Sequence, residues 1–442
     1  MKTALPEIMK KNSRRKGTKE LRAMKYKKPL FILLLFLVSS CLISCREKEN
    51  EKIEITFIHG WGNVEKDHEA MRNIYKDFEK KYPQIKLNSI SMPSAKDVIS
   101  KVGDLLTVGE IPDVIFTAGD GRESIYEFMV EKNYALDLMG EIEKNEELRK
   151  NISPVALNYW MTEDKKIYTV SDVLMVSGGY WYNKDIFSQV GIKEPPKSRK
   201  EWIEACGKIE LYSKKNEMNI VPILLDSNHI VYLTDAILSD EDPAMLTKGE
   251  NPQVNLNRLG FRRTLMELEK IAETTQVVNS FSFRDTLAAF NSGETAMYIN
   301  GSWAAPMISE KLNVGYAPLP TSDEKGVVAI SSGVGYILGN TKNKEKIRAS
   351  ISFLNYMLSE EVAERILKET GQIPANPNVE ITKELAGERL YQAVESVKEA
   401  HRIIEVPANI WGTTKKDVYG DNIILYLDKK LSMEQLQREM RK

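Results

Sequence analysis

Ile53-Glu54-Ile55-Thr56-Phe57-Ile58 opens the stretch that decides the fold, which runs on to Pro112-Asp113-Val114-Ile115-Phe116. The first run is β-branched and partly alternating, and it enters the turn His59-Gly60-Trp61-Gly62, which together read as a strand and its end. Between Asp67 and Tyr82 the residues Met71, Ile74, Tyr75, Phe78 and Tyr82 follow the helical period, and Pro83 stops the helix. A second strand is expected over Ile85 to Ile90. Val98, Val102, Leu105 and Leu106 mark a second helix that Gly109 ends, and Val114 to Phe116 supplies a third, apolar strand. Strand, helix, strand, helix, strand in this order predicts an α/β fold with a parallel sheet covered by helices on both faces. Ligands on such sheets bind beyond the carboxyl ends of the strands, which places Trp61-Gly62 and Thr117-Ala118-Gly119-Asp120 at one rim.

Upstream of this region the chain reads as a targeting segment. Lys25, Lys27 and Lys28 precede an apolar run from Leu30 to Val38, too short to span a bilayer as a helix and followed by small residues. It ends in Leu42-Ile43-Ser44-Cys45, which resembles the lipobox of bacterial lipoproteins. The resemblance implies cleavage before Cys45, diacylation of its thiol and a membrane anchor through lipid. Val38-Ser39-Ser40-Cys41 fits the pattern less well, because it would leave apolar Leu42 and Ile43 on the tether. Residues 1–23 form a polar, basic leader with no apolar periodicity, and translation from Met24 would give a signal peptide of ordinary length. The protein is therefore expected to work outside the cytoplasm, tethered at Cys45.

Charge and cysteine count narrow the function further. Residues 1–44 hold 11 of the 62 basic and 2 of the 63 acidic residues, so the remainder carries a net charge of −10. That balance argues against nucleic acid as a partner, since affinity for it comes mainly from neutralising phosphates. Beyond residue 44 only Cys45 and Cys206 remain, which excludes a disulfide framework and leaves Cys206 as a small core residue. The 398 residues after position 44 exceed what one core usually organises, so two lobes are expected.

Five further motifs occur in order along this part. They are Phe78-Glu79-Lys80-Lys81-Tyr82-Pro83, Gly109-Glu110-Ile111-Pro112-Asp113-Val114, Tyr182-Asn183-Lys184-Asp185-Ile186-Phe187 with Pro195-Pro196, Phe290 to Trp303 with Gly293 and Gly301, and Ala317-Pro318-Leu319-Pro320. Together they resemble the extracellular solute-binding proteins of bacterial ABC sugar importers, the class that includes maltose-binding protein. The resemblance implies a periplasmic-binding-protein-like fold of type II, with two lobes joined by a hinge of several chain crossings. Lobe one would take roughly residues 46–175 and 332–374, and lobe two 176–331 and 375–442. It also implies a carbohydrate ligand held between the lobes and the transmembrane subunits of an ABC permease as partner. One departure is Tyr168-Thr169-Val170-Ser171-Asp172, where many relatives have a proline before the first hinge, so the hinge could shift by a few residues.

The same resemblance places Trp303 in the cleft, stacked on a pyranose ring. Trp411 stands where relatives often carry a second aromatic platform, and Trp61 would be a third. An aromatic face suits a sugar because axial C–H groups form apolar patches, while amides and carboxylates bind the hydroxyls. For each, a packed core tryptophan is the structural alternative; Trp160, Trp181 and Trp202 are read as core residues outright. Gly62 shares the turn of Trp61. Asp120 follows the third strand and suits hydroxyl recognition or a helix N-cap equally. Asn228 and His229 follow the strand Val221 to Leu225, with Tyr232 just beyond; relatives use this loop for sugar contacts. Gly335 closes Ser331-Ser332-Gly333-Val334-Gly335, which resembles the crossing back to lobe one and would admit a ligand closely or an unusual backbone angle.

Catalysis has little support in the sequence. The four histidines are scattered, no metal-ligating cluster or G-x-S-x-G elbow occurs, and no cofactor motif is present. A lipid-anchored glycosidase built on two of the many carboxylates is the enzymatic alternative. A surface glycan-binding or sensor-associated lipoprotein is the non-transport one, and the fold would also admit a peptide, polyamine or metal chelate.

Overall fold

The computed structural model describes residues 52–117, 125–246, 258–278, 282–322, 326–333, 335–411 and 413–440. The basic leader, the signal segment, Cys45 and Asp120 lie outside the described residues. Among the described residues, no helix is long and apolar enough to cross a membrane.

Strand β1 (Ile53–His59) pairs in parallel with β2 (Ile85–Ser91) on one side and β3 (Val114–Thr117) on the other. Helix α1 (Lys66–Lys81) and helix α2 (Ala95–Thr107) make the two crossovers. Strand period two divides the sheet's side chains between its faces. Phe57, Val114 and Phe116 pack with Met71, Ile74, Tyr75 and Phe78 of α1, whereas Ile58 and Ile115 pack with Val98 and Val102 of α2. Ser94 starts α2 by accepting a hydrogen bond from the Asp97 amide, which satisfies one of the orphan donors of the first turn. The three parallel strands expected from the sequence, covered on both faces, are thus present.

A second sheet runs in the order β7-β6-β8-β5-β9, with β5 (Gly179–Asn183), β6 (Val221–Leu225), β7 (Gln276–Val277), β8 (Thr295–Ile299) and β9 (Val314–Pro318). Helix α3 (Arg199–Lys215) begins with a reciprocal Ser198–Glu201 capping box and buries Trp202 and Cys206. Helix α4 (Ile230–Glu241) is buried from Ile230 to Ser239, and such all-round burial marks the centre of a core. Trp160, Trp181 and Trp202 are all fully buried.

Between these two sheets in the chain lies a third, of order β12-β4-β10-β13. It is made by β4 (Val173–Ser177), β10 (Val327–Ser332), β12 (Ile373–Pro374) and β13 (Arg402–Ile404). The chain leaves β4 directly into β5 of the second sheet. It leaves β10 into β11 (Gly335–Leu338), which pairs antiparallel with β3 and so completes the first sheet. This is a two-lobed arrangement with several strand crossings between lobes. The strand β13, parallel to β10, adds a crossing-sheet member that the sequence reading lacked.

Candidate functional site

On the first lobe, the site is built where β1, β3 and β11 meet. His59 ends β1, and its Nε2 lies 2.8 Å from Ser89 Oγ and 3.1 Å from Ser91 Oγ on β2. Its Nδ1 accepts the Trp61 amide at 3.2 Å, so the ring proton sits on Nε2. Burial, with Arg72 and His68 adding to it, lowers the His59 pKa to about 3 and keeps the ring neutral. Arg72 donates to the carbonyl oxygens of Trp61 at 2.6 Å and Asn63 at 2.7 Å, so the turn is held at both ends. The Trp61 indole stacks on Phe116 at 5.9 Å and meets the edge of His68 at 4.9 Å, with only 6% of the residue exposed. Gly62 is exposed, and its amide donates to the Met92 carbonyl at 2.9 Å.

Gly335 starts β11 with φ +66°, and a Cβ there would lie 2.3 Å from the Val170 oxygen and 2.4 Å from Ser171 Cα. Its role in the structure is close backbone approach between two crossings. The next residue, Tyr336, donates its hydroxyl to Asp172 Oδ2 at 2.6 Å, and burial pushes the Asp172 carboxyl up to about 6 despite that bond. Asp172 also accepts the Ala375 amide through its backbone oxygen, so three chain crossings converge on residues 171–172, 335 and 375.

The second lobe carries the other four described candidates. Trp303 is half-buried on a single 3-10 turn after β8. Its six-membered ring folds back over Gly301, where a Cβ would lie 2.1 Å from the indole, so only glycine leaves the ring its place. Trp181 Nε1 donates to the Gly301 carbonyl at 3.1 Å, and Ser302 Oγ accepts the Val176 amide of β4 at 3.2 Å. Asn228 is exposed in the turn before α4, with its amide donated to Asp226 Oδ1 at 2.9 Å. Tyr232 lies in α4 with 8% exposed and packs in the lobe-two core. Trp411 is 7% exposed, stacks on Tyr419 at 4.2 Å and donates Nε1 to both oxygens of Asp235 at 3.1 Å. Burial pushes the Asp235 carboxyl up to about 8, tempered first by the bond from Trp411.

The candidates therefore fall into two groups. On lobe one Trp61 stacks on Phe116, which packs on Tyr336 next to Gly335, while Gly62 lies against Met92; on lobe two Asn228, Tyr232, Trp303 and Trp411 gather about α4 and the end of β8. Trp303 exposes the most indole of the three tryptophan candidates, while Trp61 and Trp411 are largely covered. A separate concavity of about 740 Å³, between Pro195-Pro196, β9 and Glu399-Ala400-His401, is bordered by none of the seven described candidates.

Sequence reading gave no role to Asp226 or Asn300, which the structure places beneath the Trp303 turn. Asp226 could have been found: an aspartate just after a strand, with free amides two and three residues on, is an Asx-turn signature. Asn300 carried no such signal, because its partner His229 is 71 residues away. Among the described residues, no group of histidine, cysteine and carboxylate side chains could hold a metal ion. The chemistry on offer is the partly exposed aromatic face of Trp303 with the exposed Asn228 side chain on the same lobe, which suits a neutral hydroxylated ring.

Comparison with known proteins bears on the same site. Residues 73–391 match the profile of the family described as bacterial extracellular solute-binding protein. A putative ABC transporter periplasmic-binding protein of Escherichia coli, YcjN, is 24% identical over 375 residues, covering 80% of this chain and 81% of that protein. The multiple sugar-binding protein of Streptococcus mutans is 23% identical, covering 75% of this chain and 78% of its own. Among solved structures, a Streptococcus pneumoniae solute-binding protein in complex with the blood group A-trisaccharide superposes with a TM-score of 0.72 at 25% identity. The match covers 88% of this chain and 98% of that one.

Proposed function

This chain belongs to the bacterial extracellular solute-binding protein family, and we propose that it captures a carbohydrate between its lobes and delivers it to an ABC permease. It is a binding protein, not an enzyme, as the family is. The observation that carries the carbohydrate reading is Trp303: a half-buried indole, fixed over Gly301, on a turn tied to crossing strand β4 through Ser302. The names of two relatives support it, one a sugar-binding protein and one seen with a trisaccharide.

The eight residues Trp61, Gly62, Asp120, Asn228, Tyr232, Trp303, Gly335 and Trp411 remain the proposed ligand set, with Trp303 as the platform. Lobe one is proposed to span about 46–175 and 332–374, and lobe two 176–331 and 375–442. Cleavage before Cys45 and lipidation of its thiol would hold the protein at the outer face of the membrane, close to its permease. The lipobox-like Leu42-Ile43-Ser44-Cys45 supports that anchor.

A thermal-shift screen over mono- and oligosaccharides tests the proposal. A sugar present at 100 times its Kd stabilises the folded state by about 2.7 kcal/mol, which raises Tm measurably. The account expects at least one carbohydrate to do so while amino acids, peptides and polyamines do not. A shift given only by one of those other classes would overturn it.

A further inference from the structure

Beneath the Trp303 turn lies a chain of buried polar side chains, none of them in the proposed ligand set, that runs from the turn of Asn228 to the peptide under Trp303. Asp226 is fully buried just after β6 and accepts four hydrogen bonds. Its Oδ1 takes the amides of Asn228 and His229 at 2.9 and 3.0 Å; its Oδ2 takes His229 Nδ1 at 2.7 Å and Thr286 Oγ1 at 2.5 Å. A carboxylate facing Nδ1 puts the imidazole proton there, which leaves Nε2 as an acceptor. Asn300 Nδ2 donates to that Nε2 at 3.1 Å and also to the Tyr298 hydroxyl. The amide orientation is thereby decided, and Asn300 Oδ1 accepts the Gly301 amide at 2.7 Å. Rotating the Asn300 amide by half a turn would set a donor against the Gly301 N–H, leaving that buried group unpaired.

Every link fixes the next. From the Asp226 turn the order runs through the His229 tautomer and the Asn300 amide to the Gly301 peptide, over which the Trp303 ring folds. Asp226, His229, Asn300, Tyr298 and Thr286 are each no more than 4% exposed, so the chain works in a medium where such bonds are strong and their loss costly.

We infer that Asp226, His229 and Asn300 are positioning residues that set the orientation of the Trp303 indole and so govern affinity for the ligand without touching it. The affinity part rests on the carbohydrate reading above; the orientation part does not.

The test has two arms on the whole protein. In the first, 5-fluorotryptophan is incorporated at the six tryptophans and the fluorine resonance of Trp303 is assigned by its loss in Trp303→Phe. Asn300→Ala should shift or broaden that resonance and leave those of Trp160 and Trp202 in place. Asn300→Ser and Thr286→Val, which remove less, carry the same readout if Asn300→Ala does not fold. In the second arm, calorimetry with a sugar from the screen should show Asn300→Ala about tenfold weaker than wild type, yet less than about twofold weaker in a Trp303→Ala background. A Trp303 resonance unmoved in the folded variants would overturn the inference, as would an equal loss of affinity in both backgrounds. Wild-type protein that binds no carbohydrate would sink the functional reading alone, and the fluorine arm would then decide the inference by itself.

Discussion

His59 shows how one residue couples lobe-one geometry to pH. Its neutral ring is needed to accept the Trp61 amide, and its pKa is lowered from about 6.5 to about 3 by burial. Below pH 6.5 the unfolded chain binds a proton at this position while the folded chain does not. Stability that is complete above pH 6.5 is therefore lost as pH falls toward 3, at about 1.4 kcal/mol per pH unit from this group. Urea melts of the wild type and His59→Gln should diverge in slope over that window, with the variant losing less per unit of acidification. Parallel pH profiles would show that His59 is not protonated differently in the two states.

The tryptophans illustrate how much of the site was legible residue by residue. Trp303 was singled out because its motif, Gly301-Ser302-Trp303, lies within the span Phe290 to Trp303 that carries the family resemblance. The reason for its glycine is visible only once the ring is seen folded over it. The partner that absorbs the indole N–H of Trp411 is Asp235, 176 residues earlier, and no local pattern announces a pairing over that distance. Trp160, Trp181 and Trp202 were read as core from local context and all are buried, although the Trp160 and Trp181 indole N–H groups donate to the carbonyls of Gly333 and Gly301, 173 and 120 residues on.

Elements with a sustained period were legible, and those without one were not. Helix α1 repeats its apolar stripe three times, at Ala70-Met71, Ile74-Tyr75 and Phe78, and the strand-like runs of β1 to β3 with helices between them sufficed to assign a doubly covered sheet. Strand β13 is only three residues, Arg402-Ile403-Ile404, too short for any period to show. The crossing at Gly335 is sensitive to a single change. Alanine there would need φ +66° and would drive its Cβ against the Val170 oxygen. Gly335→Ala should cost roughly 1–3 kcal/mol of stability, seen as a lower urea midpoint with little change in slope. A midpoint within experimental error of wild type would mean that the two crossings part easily, and that their contact does not define the hinge.

At the scale of the whole molecule, two helix-covered sheets are tied by a third sheet that several passages of the chain share. Strands that cross between lobes can twist together, so the natural low-energy motion of such a body is rotation of one lobe against the other. A ligand touching both lobes stabilises the closed form by as much as it binds that form more tightly than the open one. The candidates divide in this way, Trp61 and Gly335 on one side and Trp303 and Asn228 on the other. Capture by closure is therefore the central claim. Small-angle scattering with and without a saturating sugar tests it most directly, starting from a radius of gyration of ~21 Å for a compact chain of the 398 residues after position 44. The account predicts a smaller radius with the sugar bound and the same sugar recovered unchanged after hours; an unchanged radius at confirmed saturation, or a cleaved sugar, would contradict it.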